Sequence, residues 1–435
     1  MATESADGYD AVVVGAGPAG ISAAITMARA GLKTVVLERG EYPGAKNVQG
    51  AVLYSKMLHE IVPNFWKEAD APVDRPVVEQ KMCITTEDSW ITVGYKSLKF
   101  LEGVPNCYTI IRVKFDQWYA KKAEEAGAEV FCGVTVREVL KKDGKIIGIK
   151  TSDGDDLLAS VVIACDGVNS LVAQKAGFID ELKSGEVALG AKEIIALDPK
   201  LIEDRFQLNP GEGATMEMFG SVTLGMLGYV FLYTNKESLS LGVGCKLSDY
   251  QKKGLRPADH LEMIKKHPYI GKLISGGKTL EYSSHLIPEG GIKSMPPLAA
   301  DGFLVAGDAA QMTNPAYREG SNLAMTSGKL AGETVIEAKI KGDFGKQTLS
   351  AYIDKLKVSY VLQDMEEVKD LEEAVEKSPG FLDVYSRLAC DLAHLRFSAD
   401  GVPKKKHLRL AFDMARRRGL LRIARDLWPL RKVGI

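Results

Sequence analysis

Short apolar runs and helix-spaced segments alternate from the start of the chain. Residues 10–14 form a β-branched run that stops at Gly15-Ala16-Gly17-Pro18-Ala19-Gly20, and apolar positions then recur as Ile21, Ala24, Ile25 and Ala28. That spacing predicts a helix closed by Gly31. Residues 34–37 form a second strand ending at Glu38, so the chain opens with one βαβ unit. Further on, the pattern predicts a helix over 114–126 and a strand over 129–131. A hairpin follows, with arms 134–140 and 146–150 around Lys141-Lys142-Asp143-Gly144-Lys145. Residues 159–164 and 302–306 read as buried strands. Residues 181–286 alternate strands with one helical stretch, 258–273, and from about Phe344 onward the pattern is mostly helical. There is no internal repeat.

Residues 218–235 carry no charge, a length that raises the question of a membrane span. Gly220, Gly225 and Gly228 interrupt the stretch, Lys236-Glu237 ends it, and 238–243 alternates polar with apolar. A pair of buried strands fits that pattern better. The whole chain has 435 residues, 46% hydrophobic and 26% charged, an ordinary globular composition of about three domain-lengths. Its 56 basic and 57 acidic residues leave a net charge of −1, which does not favour nucleic acid as a partner.

Six cysteines (Cys83, Cys107, Cys132, Cys165, Cys245, Cys390) lie far apart without a C-x-x-C. This argues against a disulfide framework, a thioredoxin-like pair and a self-contained iron–sulfur cluster. No Cys/His spacing suggests zinc, so no metal is expected. Residues 1–8 are acidic and lack the basic and apolar regions of a signal peptide, which makes the cytoplasm the expected compartment.

Gly15-x-Gly17-x-x-Gly20 is a weak signal alone, but here a strand precedes it, a helix follows it, and Glu38 stands 18 positions beyond its last glycine. Gly15 permits the tight turn, Gly17 lets the backbone approach a pyrophosphate, and Gly20 lets helix and strand pack closely. The helix N-terminus opens with Pro18, which has no N–H, and from Ala19 onward offers free N–H groups to a diphosphate. Glu38 suits two ribose hydroxyls and disfavours a 2′-phosphate. A dinucleotide is therefore expected.

Two later segments, Ala164-Cys165-Asp166-Gly167-Val168-Asn169-Ser170 and Leu304-Val305-Ala306-Gly307-Asp308-Ala309-Ala310, each end a predicted strand. With them the sequence resembles FAD-dependent oxidoreductases of the glutathione-reductase superfamily, hydroxylase branch. The resemblance implies that Asp308 binds the flavin ribityl chain, that Gly307 leaves room for it, and that Asp166-Gly167 holds the diphosphate side. Arg112-x-x-Phe115-Asp116-x-Trp118 is similar to the branch's Arg-x-x-Leu/Phe-Asp element, so Arg112 would lie against the cofactor and Val136 would hold the adenine by its backbone. Pro315-Ala316-Tyr317-Arg318-Glu319-Gly320-Ser321-Asn322 opens an apolar helical stretch over 323–340. Its N-terminus would face the flavin pyrimidine and stabilise negative charge there.

A narrower resemblance follows from Glu38-Arg39-Gly40-x-x-Pro43-Gly44-x-Lys46-Asn47-x-Gln49-Gly50 and from the segment 232–242. Both are similar to FixC-type flavoproteins, also called EtfC, relatives of electron-transfer-flavoprotein:quinone oxidoreductase. That resemblance implies non-covalent FAD, electrons taken from electron-transfer flavoprotein subunits, and delivery to quinone. It also implies a small ferredoxin-like subunit that supplies the iron–sulfur cluster, this chain holding none. A second dinucleotide fingerprint is absent, since Gly242-Val243-Gly244 is followed by Leu247 at the third glycine position. An NADPH-dependent geranylgeranyl-reductase-like or hydroxylase enzyme remains an alternative, as does a non-catalytic flavoprotein platform. Geranylgeranyl reductases, however, typically carry Tyr-x-Trp-x-Phe-Pro where this chain has Tyr229-Val-Phe231-Leu-Tyr233-Thr234.

The expected fold is α/β. A glutathione-reductase/hydroxylase-like FAD-binding βαβ domain (1–75, 105–180, 287–343) is interrupted by a mainly β substrate or quinone domain (76–104, 181–286). A helical C-terminal region (344–435) follows. The isoalloxazine carries the chemistry, so no protein nucleophile is required. Tyr317 and Glu319 are candidates for relaying a proton to quinone. Cys165 reads either as a thiol near the flavin or as a small buried strand-end residue. Lys46-Asn47 reads as a cofactor edge or a solvated loop, and Tyr229, Phe231 and Tyr233 as a quinone or prenyl path or as core. His59 and His285 read as structural. Residues 404–432 hold eleven Lys/Arg and two Asp, a net +9 that leaves −10 for the rest. With apolar residues at helical spacing, this end suits an anionic membrane surface, an acidic partner, or its own domain. A peripheral place on the inner face of the membrane is expected.

Overall fold

The computed structural model describes residues 8–46, 52–378 and 380–428. They divide into two compact units, one drawn from 1–74, 103–187 and 286–366, the other from 75–102, 188–285 and 367–435.

The first unit is built on a sheet that is parallel except at one edge, where Ala299–Ala300 runs antiparallel to its neighbour. Its strands lie in the order Ala299–Ala300, Phe303–Val305, Asp156–Ala164, Tyr9–Val14, Thr34–Glu38, Glu129–Cys132. Val14 opposes both Ala164 and Leu37, and Ala164 opposes Val305. The strands therefore end in register, and the loops that begin at Gly15, Glu38, Cys165 and Ala306 leave from one edge. The central strands are buried along most of their length, as their β-branched runs require of a sheet covered on both faces. The predicted hairpin forms from Val136–Lys142 and Lys145–Thr151, with Asp143 and Gly144 both at positive φ, the backbone of a two-residue turn.

Helix Pro18–Arg29 packs against helix Ser321–Lys341. A Cβ on Gly328 would stand 2.0 Å from the Ala19 carbonyl oxygen, so only glycine lets the helices meet this closely. The helix expected over 114–126 spans Arg112–Glu125, with Arg112 as its first residue. It buries Phe115, Trp118, Tyr119 and Ala123 at i, i+3, i+4 and i+8. The Tyr119 hydroxyl lies 2.8 Å from Ser22 Oγ inside the core. His59 has a structural place, its Nδ1 accepting the Asn64 N–H at 2.9 Å.

The second unit carries a mixed sheet in the order Lys278–Pro288, Val187–Ala196, Ser238–Lys246, Gly228–Thr234, Gly213–Gly220, Val73–Thr85, with Trp90–Lys96 paired to the last. The charge-free segment supplies parts of two antiparallel strands of this sheet. No helix among the described residues is long and apolar enough to cross a membrane. The single helical stretch expected over 258–273 is instead two helices, Pro257–Lys265 and Pro268–Ile274. Pro268 has no N–H to continue the first helix and starts the second instead. Two further helices, Pro199–Phe206 and Leu247–Lys253, interrupt a region expected to be otherwise strand. The chain closes with Leu371–Glu376, Val384–Phe397, Lys404–Arg418 and Leu420–Leu427.

Candidate functional site

The glycine loop is the first wall of the site. Gly15 has φ +105°, and a Cβ there would meet the Cys165 carbonyl oxygen at 2.3 Å. A Cβ on Gly20 would meet the Gly15 oxygen at 2.0 Å, whereas one on Gly17 would meet nothing within 4 Å. Two of the three glycines thus serve packing, and the third borders open space. Helix Pro18–Arg29 starts at Gly17 without a side-chain cap, and helix Ser321–Lys341 starts at Gly320 likewise. Both N-termini keep N–H groups and a positive dipole for an external acceptor.

Glu38 ends the second strand and ties the loop together. Its Oε2 accepts the Ala16 N–H at 3.0 Å, and its Oε1 accepts the Gly40 N–H at 2.6 Å. The segment after Cys132 joins this corner, with the Gly133 N–H donating to Gly40 O and the Val134 N–H to Glu38 O. Val136 lies two residues on, buried at the start of the hairpin. Arg112 is buried and forks onto Asp116, Nε to Oδ1 at 2.8 Å and Nη2 to Oδ2 at 3.0 Å. Burial raises the Asp116 pKa, Arg112 opposes that rise, and the nearby Glu38 charge adds to it. Gly44 fits against this pair, where a Cβ would stand 3.0 Å from Asp116 Cβ.

The far strands contribute two carboxyls. Asp166 Oδ2 accepts the Val172 N–H at 2.9 Å, while Oδ1 is buried without a partner. Burial pushes Asp166 up to about 6, against its backbone hydrogen bonds and the charge of exposed Arg39. Burial likewise pushes Asp308 up to about 6, against the pull of Arg112. Beside Asp308, Gly307 donates its N–H to Ser327 Oγ at 3.0 Å and faces Ala19 and Ala324. The loop 311–322 is pinned by a pair of bonds, Asn314 N–H to Glu319 O at 2.8 Å and Glu319 N–H to Asn314 O at 3.0 Å. Within it, both amide atoms of Gln311, Asn314 Nδ2, Glu319 Oε2 and Asn322 Oδ1 are buried without partners. Burial first, and the Asp364 charge second, raise the Glu319 pKa. Tyr317 is half-exposed, and its carbonyl lies 3.5 Å from the Tyr54 hydroxyl.

The sheet thus gathers Gly15 to Gly20, Glu38, Asp166-Gly167 and Gly307-Asp308 on one edge, with Arg112 charge-coupled to Asp308. Pro315 and Gly320 to Asn322 follow from the same edge. Lys46 is exposed on the loop beyond Pro43, and Asn47, Gln49 and Gly50 lie outside the described residues. Cys165 is buried, and desolvation with the Asp166 charge raises its pKa strongly, so its thiol stays protonated. Three contributors carry no role in the sequence reading. Gln311, directly after Gly307-Asp308-Ala309-Ala310, and Asn314 bring buried amide atoms without partners. Ser170, there only the last residue of its motif, donates its Oγ to the Ala309 carbonyl at 2.9 Å and ties the two strand-end loops together.

Residues 10–181 match the family model for FAD dependent oxidoreductases, and residues 371–433 match that of the ETF-QO/FixC family C-terminal domain. The chain is 46% identical over 400 residues to Protein FixC of Azorhizobium caulinodans, covering 91% of this chain and 92% of that one. It is 44% identical over 426 residues to Protein FixC of Rhizobium meliloti, covering 97% and 96%. The chain belongs to the FixC family. Among solved structures, a geranylgeranyl bacteriochlorophyll reductase-like protein from Thermoplasma acidophilum shares the fold, with a TM-score of 0.73, 23% identity, and coverage of 97% of this chain and 99% of that one. The flavin-dependent brominase Bmp2 shares it at a TM-score of 0.65, 18% identity, and coverage of 95% and 100%.

This FixC family member is an FAD-dependent oxidoreductase, and its site fits FAD. The open face of Gly17, two uncapped helix N-termini and the unpartnered polar atoms of Asp166, Gln311, Asn314 and Asn322 are donors and acceptors without a protein counterpart. A buried polar atom without a partner is costly, and a large polar cofactor removes that cost.

Proposed function

We propose that this protein takes electrons from reduced electron-transfer flavoprotein, directly or through a small ferredoxin-like iron–sulfur partner, and delivers them to a membrane quinone. The observation that carries this reading is the match of residues 371–433 to a C-terminal domain shared by ETF-QO and FixC, on a chain that aligns with FixC proteins nearly end to end. FAD supplies the two-electron chemistry when bound. The protein's own part is to hold it. The Gly17 backbone and the helix behind it receive the diphosphate, Glu38 the ribose and Asp308 the ribityl chain. The N-terminus of Ser321–Lys341 places a positive dipole for the flavin pyrimidine. Glu319, whose pKa burial raises, and Tyr317 on the same loop are our candidates for relaying a proton to quinone. A lipid-soluble acceptor would bring the working protein to a membrane surface, which we take to be the inner face.

The test is quinone reduction with purified components. Enzymatically reduced electron-transfer flavoprotein and a soluble quinone are mixed with the FAD-loaded chain, with and without the ferredoxin-like partner, and NADPH serves as the competing donor. Quinone reduction that needs both this chain and reduced electron-transfer flavoprotein supports the reading. Rapid turnover with NADPH alone replaces it with a reductase or hydroxylase reading.

A further inference from the structure

Helix Ser321–Lys341 carries a polar stripe at Asn322, Thr326 and Lys329, spaced i, i+4 and i+7 along one face. A second helix, Tyr360–Glu367, meets this stripe through its first residue, whose hydroxyl lies 2.9 Å from Thr326 Oγ1. The Asn322 side chain is buried and bonds both to that hydroxyl and to the Glu319 carboxyl, while its Oδ1 has no partner. The amide nitrogen is therefore the donor to both, and it holds Glu319 and Tyr360 side by side. Two backbone bonds to Asn314 fix Glu319 from the other side.

The charged groups around this contact have distinct places. Burial and the Asp364 charge raise the Glu319 pKa, and Arg318 on the same loop draws it down. Burial, with the Glu319 and Glu60 charges, pushes the Tyr360 phenol up, so it stays protonated at neutral pH. Glu60 is paired with Lys329 at 3.1 Å. Asp364 makes no ion pair among the described residues, is half-buried, and stands one turn beyond Tyr360 on the same helix. Water therefore reaches Asp364 but not the inner oxygen of Glu319, which is buried without a partner. Apolar side chains would close a helix contact at less cost than an amide, two hydroxyls and a carboxyl. A hydroxyl, however, accepts one proton while donating another, so Tyr360 can pass protons without ionising.

We propose that Asp364 and Tyr360 form the outer half of a proton path to Glu319. Asp364 takes protons from solvent, and the Tyr360 hydroxyl hands them to the Glu319 carboxyl, directly or over one water, at the place where Asn322 holds the two together. Only protons move along this path. Glu319 gives one to a quinone oxygen as the electrons supplied by electron-transfer flavoprotein arrive, and one from Asp364 replaces it; two passages supply the two protons of a quinol. The proposal rests on the quinone reading for its purpose and names the residues that would refill Glu319.

The test bypasses electron-transfer flavoprotein. The full-length FAD-loaded chain is reduced with titanium(III) citrate, then reoxidised in stopped flow by a short-chain ubiquinone, which needs protons, or by ferricenium ion, which takes electrons alone. Asp364→Asn and Tyr360→Phe should each slow reoxidation by quinone about tenfold and leave reoxidation by ferricenium unchanged, and Asp364→Glu should restore the quinone rate. Asp364 is half-buried at the surface, so its variants keep the fold even where Tyr360→Phe does not. Infrared spectra across a pH series supply a second readout, with the Glu319 carboxyl band assigned by its loss in Glu319→Gln. Asp364→Asn should let that carboxyl lose its proton at lower pH, since a neighbouring negative charge has been removed. Unchanged quinone rates in both variants, equal slowing with both acceptors, or a Glu319 band that titrates identically in Asp364→Asn would each overturn the proposal. A wild-type chain that reduces ferricenium but not quinone sinks the quinone reading, and the infrared titration still decides whether Asp364 is coupled to Glu319.

Discussion

Gly17 and Gly20 stand three residues apart and answer to different demands. A Cβ on Gly20 would sit 2.0 Å from a backbone oxygen, while one on Gly17 would meet only open space. Gly20→Ala should therefore cost the protein about 1–3 kcal/mol of stability by overpacking. Gly17→Ala should leave the melting temperature of the FAD-free protein unchanged and weaken FAD binding. Calorimetry of the apoprotein and a flavin titration separate the two. Asp308 gives a second test. Its pKa is about 6 in the folded protein against an ordinary 3.8, so the folded state holds the proton more tightly. The FAD-free protein then loses stability as pH rises from about 4 to about 6 and regains it on acidification. Asp308→Asn should stabilise the FAD-free protein by about 1–3 kcal/mol at neutral pH, have little effect below about pH 4, and weaken FAD binding. Thermal melts across that range, with and without FAD, read both effects.

Helix Ser321–Lys341 meets helix Pro18–Arg29 through Gly328 and Gly332, and the two contacts differ in tightness. A Cβ on Gly328 would approach Ala19 O to 2.0 Å; one on Gly332 would approach Ala23 O to 2.9 Å. Gly328→Ala should lower the denaturation midpoint clearly more than Gly332→Ala, and equal losses would contradict the packing described. Elements of this length were legible from periodicity, because Ile21, Ala24, Ile25 and Ala28 repeat over several turns. The short ones were not. Leu247–Lys253 buries one residue, Tyr250, which is too little to set up a period. The stretch 258–273 keeps helical spacing straight across Pro268, so only the missing N–H betrays the break. At the site, the glycines, Glu38, Arg112, Asp166 and Asp308 were readable because each sits in a motif with a fixed offset from a strand end. Gln311 and Ser170 were not, since their roles come from burial and from a contact 139 residues away in sequence.

At the scale of the whole molecule, the first unit is assembled from three separated stretches of chain, and the register of its parallel strands brings their ends to one edge. The same register explains why motifs nearly 300 residues apart in sequence, at Gly15 and Asp308, act as one site. The family matches fall at the two ends of the chain, one on the dinucleotide fold and one on the C-terminal helices. An FAD cradle joined to a domain shared with quinone oxidoreductases is the basis for reading the protein as a conduit of electrons. The most direct test is a single-turnover experiment. The oxidised FAD-loaded chain, with its ferredoxin-like partner, is mixed anaerobically with reduced electron-transfer flavoprotein while the visible flavin band is followed, and quinone is then added. The account predicts bleaching on the first mixing and recovery on the second. A flavin that stays oxidised with reduced electron-transfer flavoprotein but bleaches at once with NADPH would contradict it.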